Sequence, residues 1–202
     1  YISEKVNDYN TLNSLKKVIG NREVVVLVPG NSLNTYRKQI DEYINQRNVF
    51  VISVNFVADN RNVYAFFANH KRYNLSERKR GDRNIIISSN VKGNKNNIVV
   101  NYHSLINRGY KYFENSAIMV LNLLKRIEAK EITIAGFDGF EIEKRTNYAD
   151  DSFQNDRHID EFNKLNQEIK DMFKELVSTL SGKCTIKMLT PSRFEGVLKN
   201  EE

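Results

Sequence analysis

Val24-Val25-Val26-Leu27-Val28 breaks into Pro29-Gly30-Asn31-Ser32, and from Asn34 the chain falls into a helical pattern. This is a strand, a tight turn and a helix. Pro29 holds Val28 extended, Gly30 permits a positive φ or the close approach of another group, and Asn31, Ser32 or Asn34 can cap the helix. A helix opening just past the carboxyl end of a buried strand directs unpaired backbone N–H groups and a positive dipole end outward, which suits a phosphate or carboxylate.

The same alternation continues on both sides of this stretch. Leu33, Tyr36, Ile40, Tyr43 and Ile44 recur at helical spacing and predict an amphipathic helix ending near Arg47. Val49 to Phe56, Val63 to Phe67, Asn84 to Ser89, Asn97 to Asn101, Glu131 to Ala135 and Thr185 to Leu189 are short apolar runs bounded by turn residues. Such runs read as strands covered on both faces. Ala117 to Ile127 is apolar almost all round, which predicts a central helix opening at Asn115-Ser116. Ile159, Phe162, Leu165, Ile169, Phe173, Leu176 and Leu180 mark a long amphipathic helix that Gly182 closes. The stretch with His70-Lys71-Arg72 and Arg78-Lys79-Arg80 reads as a basic loop. Residues 1–20 read as a linker with a short helix around Leu12, Leu15 and Val18, and residues 21–202 as one domain. Strands alternating with helices predict an α/β fold: a single doubly wound, mostly parallel sheet with helices on both faces.

Composition narrows the class. With 202 residues the chain can bury a full core. Its net charge of +6 comes from 31 basic and 25 acidic residues that are interleaved nearly everywhere outside the two basic clusters. No zinc-finger, basic-zipper or RNA-recognition signature accompanies them, so nucleic acid is not an expected partner. Cys184 is the single cysteine, which excludes an intrachain disulfide and suits the cytoplasm. It falls in a predicted strand and reads as a buried, inert thiol. No stretch is apolar for the length of a bilayer span, and the first residues lack a signal peptide's apolar centre. Beginning at Tyr1, the chain reads as a fragment or processed product.

Ligands of open parallel sheets sit beyond the carboxyl ends of the strands. There this sequence gathers small, hydroxyl and amide residues: Gly30, Asn31 and Ser32; Asn55; Asn69 with Lys71 and Arg72; Ser116; Gly136 and Asp138; Thr190 and Ser192. Hydroxyls and amides suit a ribose, base edge or sugar, while helix starts and cations suit anionic groups. Among three histidines, His158 precedes the long helix, whose N-terminus would keep the imidazole neutral as a general base requires. His70 lies in the basic loop, and His103 reads as structural. Asp138, Asp150 and Asp151 lack the spacing of a metal site, and Asp138 suits a role holding its own loop through backbone N–H groups. One cysteine and scattered histidines make no zinc site. There is no nucleophile elbow, Walker loop or full dinucleotide fingerprint.

Val24 to Leu33, Ile52-Ser53-Val54-Asn55-Phe56, Phe66-Phe67-Ala68-Asn69-His70-Lys71-Arg72-Tyr73, Ile134-Ala135-Gly136-Phe137-Asp138-Gly139-Phe140 and Leu189-Thr190-Pro191-Ser192 together resemble a known arrangement. It is the C-terminal Rossmann-like domain that follows an aldolase barrel in bacterial 4-hydroxy-2-oxovalerate aldolase-like, or HMG-CoA-lyase-like, proteins. The resemblance implies an accessory domain, with the aldol chemistry and its divalent metal belonging to an N-terminal barrel outside this chain. The order of motifs is also similar to bacterial sialyltransferases that use CMP-sialic acid and to motility-accessory-factor and pterin-kinase-like domains. Pro29-Gly30-Asn31-Ser32-Leu33 stands where those have a glycine-rich turn, Asn55 where they have a nucleotide-contacting asparagine, and Asn115-Ser116-Ala117 where they have Thr-Ser-Gly. Gly136-Phe137-Asp138 matches their Gly-x-Asp, and His158 takes the place of their catalytic histidine. That resemblance implies a nucleotide, nucleotide-sugar or phosphorylated ligand in polysaccharide or glycoconjugate biosynthesis. A metal-independent glycosyltransferase with His158 as base, and a non-catalytic interaction domain, are the alternatives.

Overall fold

The computed structural model describes residues 6–59, 63–141, 148–149 and 160–201. In chain order the elements are α1 (Tyr9–Ile19), β1 (Val24–Leu27), α2 (Ser32–Thr35), α3 (Arg37–Asn45), β2 (Phe50–Val54), β3 (Tyr64–Phe67), α4 (His70–Leu75) and α5 (Glu77–Arg80). They continue with β4 (Ile85–Ser88), β5 (Ile98–Val100), α6 (Ser116–Arg126), β6 (Glu131–Ala135), α7 (Asp160–Leu180) and β7 (Thr185–Met188). The seven strands form one sheet in the order β5-β4-β3-β2-β1-β6-β7. Every neighbouring pair is parallel. The fold is therefore Rossmann-like, and the expected mostly parallel sheet is parallel throughout.

Strand periodicity divides the core. On β1, Val24 and Val26 face a large cluster with Leu15 and Ile19 of α1 and the apolar sides of α6 and α7. Val25 and Leu27 face the opposite layer, where Ile40 of α3 packs. Farther along that layer, Ala65, Phe67, Ile85 and Ile87 pack on Tyr73 of α4. In α6 every residue from Ala117 to Leu124 is buried. Each large apolar side chain so buried contributes about 1.5–3 kcal/mol relative to exposure. The predicted central helix is thus the structural middle of the molecule.

Three local expectations change. Tyr36, with φ −107° and ψ 20°, divides the helix predicted after the first turn into α2 and α3. The predicted basic loop contains α4 and α5, because Asn69 caps the first through its side chain, which accepts from Arg72 N–H at 3.0 Å. Buried Tyr73 anchors that turn of helix to the sheet. Cys184 lies one residue before β7 and is half-buried, and burial pushes its thiol pKa up.

The chain builds outward from β1 to β5 and then returns through α6 to place β6 against the other side of β1. Strand order reverses between β1 and β6. That brings Pro29-Gly30 and Gly136-Phe137-Asp138 side by side at one edge. No helix among the described residues is long and apolar enough to cross a membrane.

Candidate functional site

A cleft of about 310 Å³ opens over this edge, on the side covered by α6 and α7. Of the residues singled out in the sequence, Gly30, Asn55, Asn69, Arg72, Ser116, Gly136 and Asp138 line it. Asn31, Ser32, Lys71, Thr190 and Ser192 are outside its lining. His158, Asp150 and Asp151 lie outside the described residues, as does any test of a base at that place.

The opening turn has a different role from the one its chemistry suggested. Ser32 N–H donates to Asp138 Oδ2 at 2.8 Å, and Ser32 Oγ also donates to the Asp138 carboxylate. Ser32 Oγ shares a 3.0 Å hydrogen bond with Thr190 Oγ1, which accepts from Gly136 N–H at 2.9 Å. The chain's own carboxylate therefore occupies the start of α2, where a ligand's anion was expected. Ser192 Oγ donates to Phe137 C=O at 2.5 Å and accepts from Phe194 N–H at 3.1 Å, so it too serves loop structure. The backbone N–H that the Asp138 carboxylate accepts from belongs to Ser32, so Asp138 ties the first turn to the loop after β6.

Gly30 and Gly136 let the β1 and β6 turns touch. Gly30 N–H donates to Gly136 C=O at 3.0 Å. A Cβ on Gly30 would lie 2.3 Å from that oxygen, and one on Gly136 would lie 1.8 Å from Val28 C=O. Gly136 also has φ +78°. The close approach for which Gly30 is small is made by the protein's own backbone.

What remains open to a ligand is the floor beside α6. Asn55 ends β2 in the left-handed region, φ 61°. Asparagine tolerates that conformation better than other side chains with a Cβ. From there its amide spans two elements: Nδ2 donates to Ser116 Oγ at 2.8 Å, and Oδ1 accepts from Ala68 N–H at 3.2 Å. Asn115 caps α6 by accepting from Ala117 and Ile118 N–H, both at 3.1 Å. The eleven-residue helix consequently begins at the cleft with Ser116 foremost.

The walls supply aromatic faces and a second cation, Lys111, that strand-end reasoning did not find. Phe113, Phe140 and Tyr148 line the cleft together with Tyr112. The Phe140 ring lies 5.9 Å from Tyr148 and 5.4 Å from Phe162 of α7. Arg72 stands 5.7 Å from the Tyr148 ring centre. Ala149 N–H donates to Pro29 C=O at 3.0 Å, and Asn34 Nδ2 donates to Ala149 C=O at 2.6 Å, so Tyr148 and Ala149 close over the first turn. Buried Asn166 on α7 fixes the neighbouring loop, accepting from Phe140 N–H at 2.8 Å and donating to Phe140 C=O at 2.7 Å.

Residues before α6 complete the wall and are tied to α7. Lys111 Nζ is 2.9 Å from Glu161, and Tyr112 N–H donates to Glu168 at 2.8 Å. Hydrogen bonding to Glu161, then to Tyr112, holds the Lys111 pKa above the usual amine value. Tyr110 Oη donates to Glu175, and that bond pushes its pKa up to about 12. His70 accepts from Lys92 N–H at 3.3 Å, a structural contact. Among the described residues no group of three or more histidine, cysteine, aspartate or glutamate side chains is placed to hold a metal ion.

Chemically, the cleft offers stacking faces, amide and hydroxyl groups, a helix N-terminus and two cations. Phe113 and Lys111 could have been found from their position immediately before a capped helix aimed at the strand ends. The chain matches no known family in a family-by-family comparison and no curated protein in a direct one.

Proposed function

We propose that this chain is a ligand-binding accessory domain whose cleft holds a nucleotide, a nucleotide-sugar or a related phosphorylated ligand. The observation that carries the reading is one cleft in which Asn55 and Ser116 meet at the start of α6, flanked by Phe113, Phe140 and Tyr148 and by Arg72 and Lys111. Aromatic faces take a planar base, amides and hydroxyls take base edges or ribose, and a helix start with cations takes phosphate. The cleft also lies where ligands of doubly wound sheets gather, at the reversal of strand order. Attachment to an aldolase-like domain, and a place in polysaccharide or glycoconjugate assembly, draw on the sequence resemblance alone. So does the glycosyltransferase alternative, which depends on His158.

The test is a thermal-shift screen with CMP, UDP, GDP, their sugar conjugates and pyruvate-derived acids. A ligand at a hundred times its Kd adds about 2.7 kcal/mol to stability, enough to raise Tm by several degrees. Phe113→Ala and Ser116→Ala should each weaken the response at least fivefold in ligand concentration. No shift with any nucleotide or nucleotide-sugar sinks the reading. If a CMP-sugar binds, its hydrolysis by the wild-type chain but not by His158→Ala would favour transfer chemistry.

A further inference from the structure

A second hollow lies across the sheet edge from the first, and its walls differ. It measures about 370 Å³ and is bounded by Leu33, Ile40, Ile44, Phe56, Val57 and Val63, with Leu75 at its rim. Ile40, Val57 and Val63 are buried in the fold, whereas Leu75 is 60% exposed. A concave apolar surface holds water poorly, and filling it with hydrocarbon removes apolar area from solvent on both partners.

Charge at the mouth is unequally distributed. On the α3 side, Arg37 faces Asp41 at 3.8 Å and Asp59 at 3.6 Å, so that side keeps no positive charge to spare. Lys79 of α5 lines the other side, with Lys71 and Arg78 exposed on the same pair of short helices. Residues 71–83 carry Lys71, Arg72, Arg78, Lys79, Arg80 and Arg83 against only Glu77 and Asp82, leaving +4 of the chain's net +6. Arg72 and Lys79 of this segment line the hollow itself, and an apolar hollow with these cations on one side is complementary to a molecule with a hydrocarbon part and an anionic head.

We infer that this hollow binds an amphiphile: one apolar chain seated between α3 and α4–α5, with a phosphate or other anionic head on the Lys79 side. Nucleic acid fits the same charge less well. Strand-binding proteins stack bases on accessible aromatic rings. Tyr73, the aromatic residue of this basic segment, is 4% exposed and is covered by Arg80, whose guanidinium lies 3.6 Å from its ring centre. Pro29, Asn55 and Arg72 border both hollows. Occupants of the two would therefore be neighbours, although neither assignment requires the other.

Isothermal titration with dodecyl phosphate below its micelle concentration tests this, with inorganic phosphate as the chainless reference. The expected result is at least tenfold tighter binding of dodecyl phosphate than of phosphate. Leu75→Asp and Lys79→Glu should each weaken dodecyl phosphate tenfold or more. Both positions are exposed, so the variants keep the fold, and their unfolding midpoints are measured alongside. Lys17→Glu makes the same change of net charge at an exposed position of α1 and should stay within twofold of wild type. The inference is overturned by equal affinity for the two phosphates, by wild-type affinity in Leu75→Asp, or by equal losses in Lys17→Glu and Lys79→Glu. It is also overturned if a single-stranded oligonucleotide binds more tightly than dodecyl phosphate and Leu75→Asp leaves that binding unchanged.

Discussion

At Gly136 a single added methyl would meet Val28 C=O at 1.8 Å in a backbone already at φ +78°. Neither the strain nor the clash can be relieved without parting the β1 and β6 turns. Gly136→Ala is therefore expected to cost well over the roughly 1 kcal/mol typical of a point substitution, read as a large fall in the urea midpoint. Asn55 makes the complementary case, a residue with a Cβ at φ 61°. Alanine there keeps the left-handed strain of about 1–2 kcal/mol and loses the local support of the amide. Glycine relieves the strain. Asn55→Ala should consequently unfold at lower urea than Asn55→Gly, while both lose ligand-induced stabilisation because neither reaches Ser116. Equal stability of the two would show that the left-handed backbone carries no cost here. The sequence placed Gly136, Asn55, Gly30 and Ser32 alike beside a ligand, and of these Ser32 is outside the cleft's lining. Asp138, 106 residues along the chain from Ser32, takes the ligand's place there.

Among the elements, α6 owes its exact start to one side chain. Asn115 accepts from two N–H groups that otherwise lack helical partners. Asn115→Ala should lower stability by about 1 kcal/mol, and the denaturant midpoint measures it. Asn115→Asp should recover most of the loss, since its carboxylate caps equally well and favours the dipole. A midpoint for Asn115→Ala equal to wild type would remove the cap from the account. This element was legible because capping residue and apolar run are adjacent in sequence. The segment of Lys111, Tyr112 and Phe113 was marked in sequence only by its place just before that cap: it has no period of its own and is positioned by Glu161 and Glu168 on α7, about 50 residues later. The basic stretch was misread as a loop for a related reason. Its helices are short, and burial of Tyr73 on the sheet stabilises what local propensity alone leaves marginal.

For the whole molecule, the segment before α1 is fastened to the end of β5 and to α6 through Asp8. Its carboxylate is buried, meets the Arg126 guanidinium at 2.5 and 2.8 Å, and accepts from Asn101 N–H at 2.8 Å. Burial alone pushes its pKa up, but Arg126 and the Asn101 N–H together outweigh it and hold the value below the ordinary 3.8. Since the folded value is the lower one, the stabilisation is complete above the unfolded pKa and disappears as pH falls through the folded pKa. The stability gap between wild type and Asp8→Asn should therefore be constant above about pH 5 and shrink below about pH 4, as urea titrations at pH 7 and pH 3 would read. A gap independent of pH would show that Asp8 acts only by shape. The alternation of short apolar runs with amphipathic helices was enough, in sequence alone, to determine a doubly wound parallel sheet and the edge where polar residues collect. Periodicity and turn chemistry are local, so they survive in a one-dimensional reading. Which of those polar residues face a ligand was decided only in three dimensions. Ser32, Asp138 and Thr190 satisfy one another, while α7 and the stretch before α6 bring aromatic rings and Lys111 to the cleft, because buried polar groups take whichever partner the fold sets nearest.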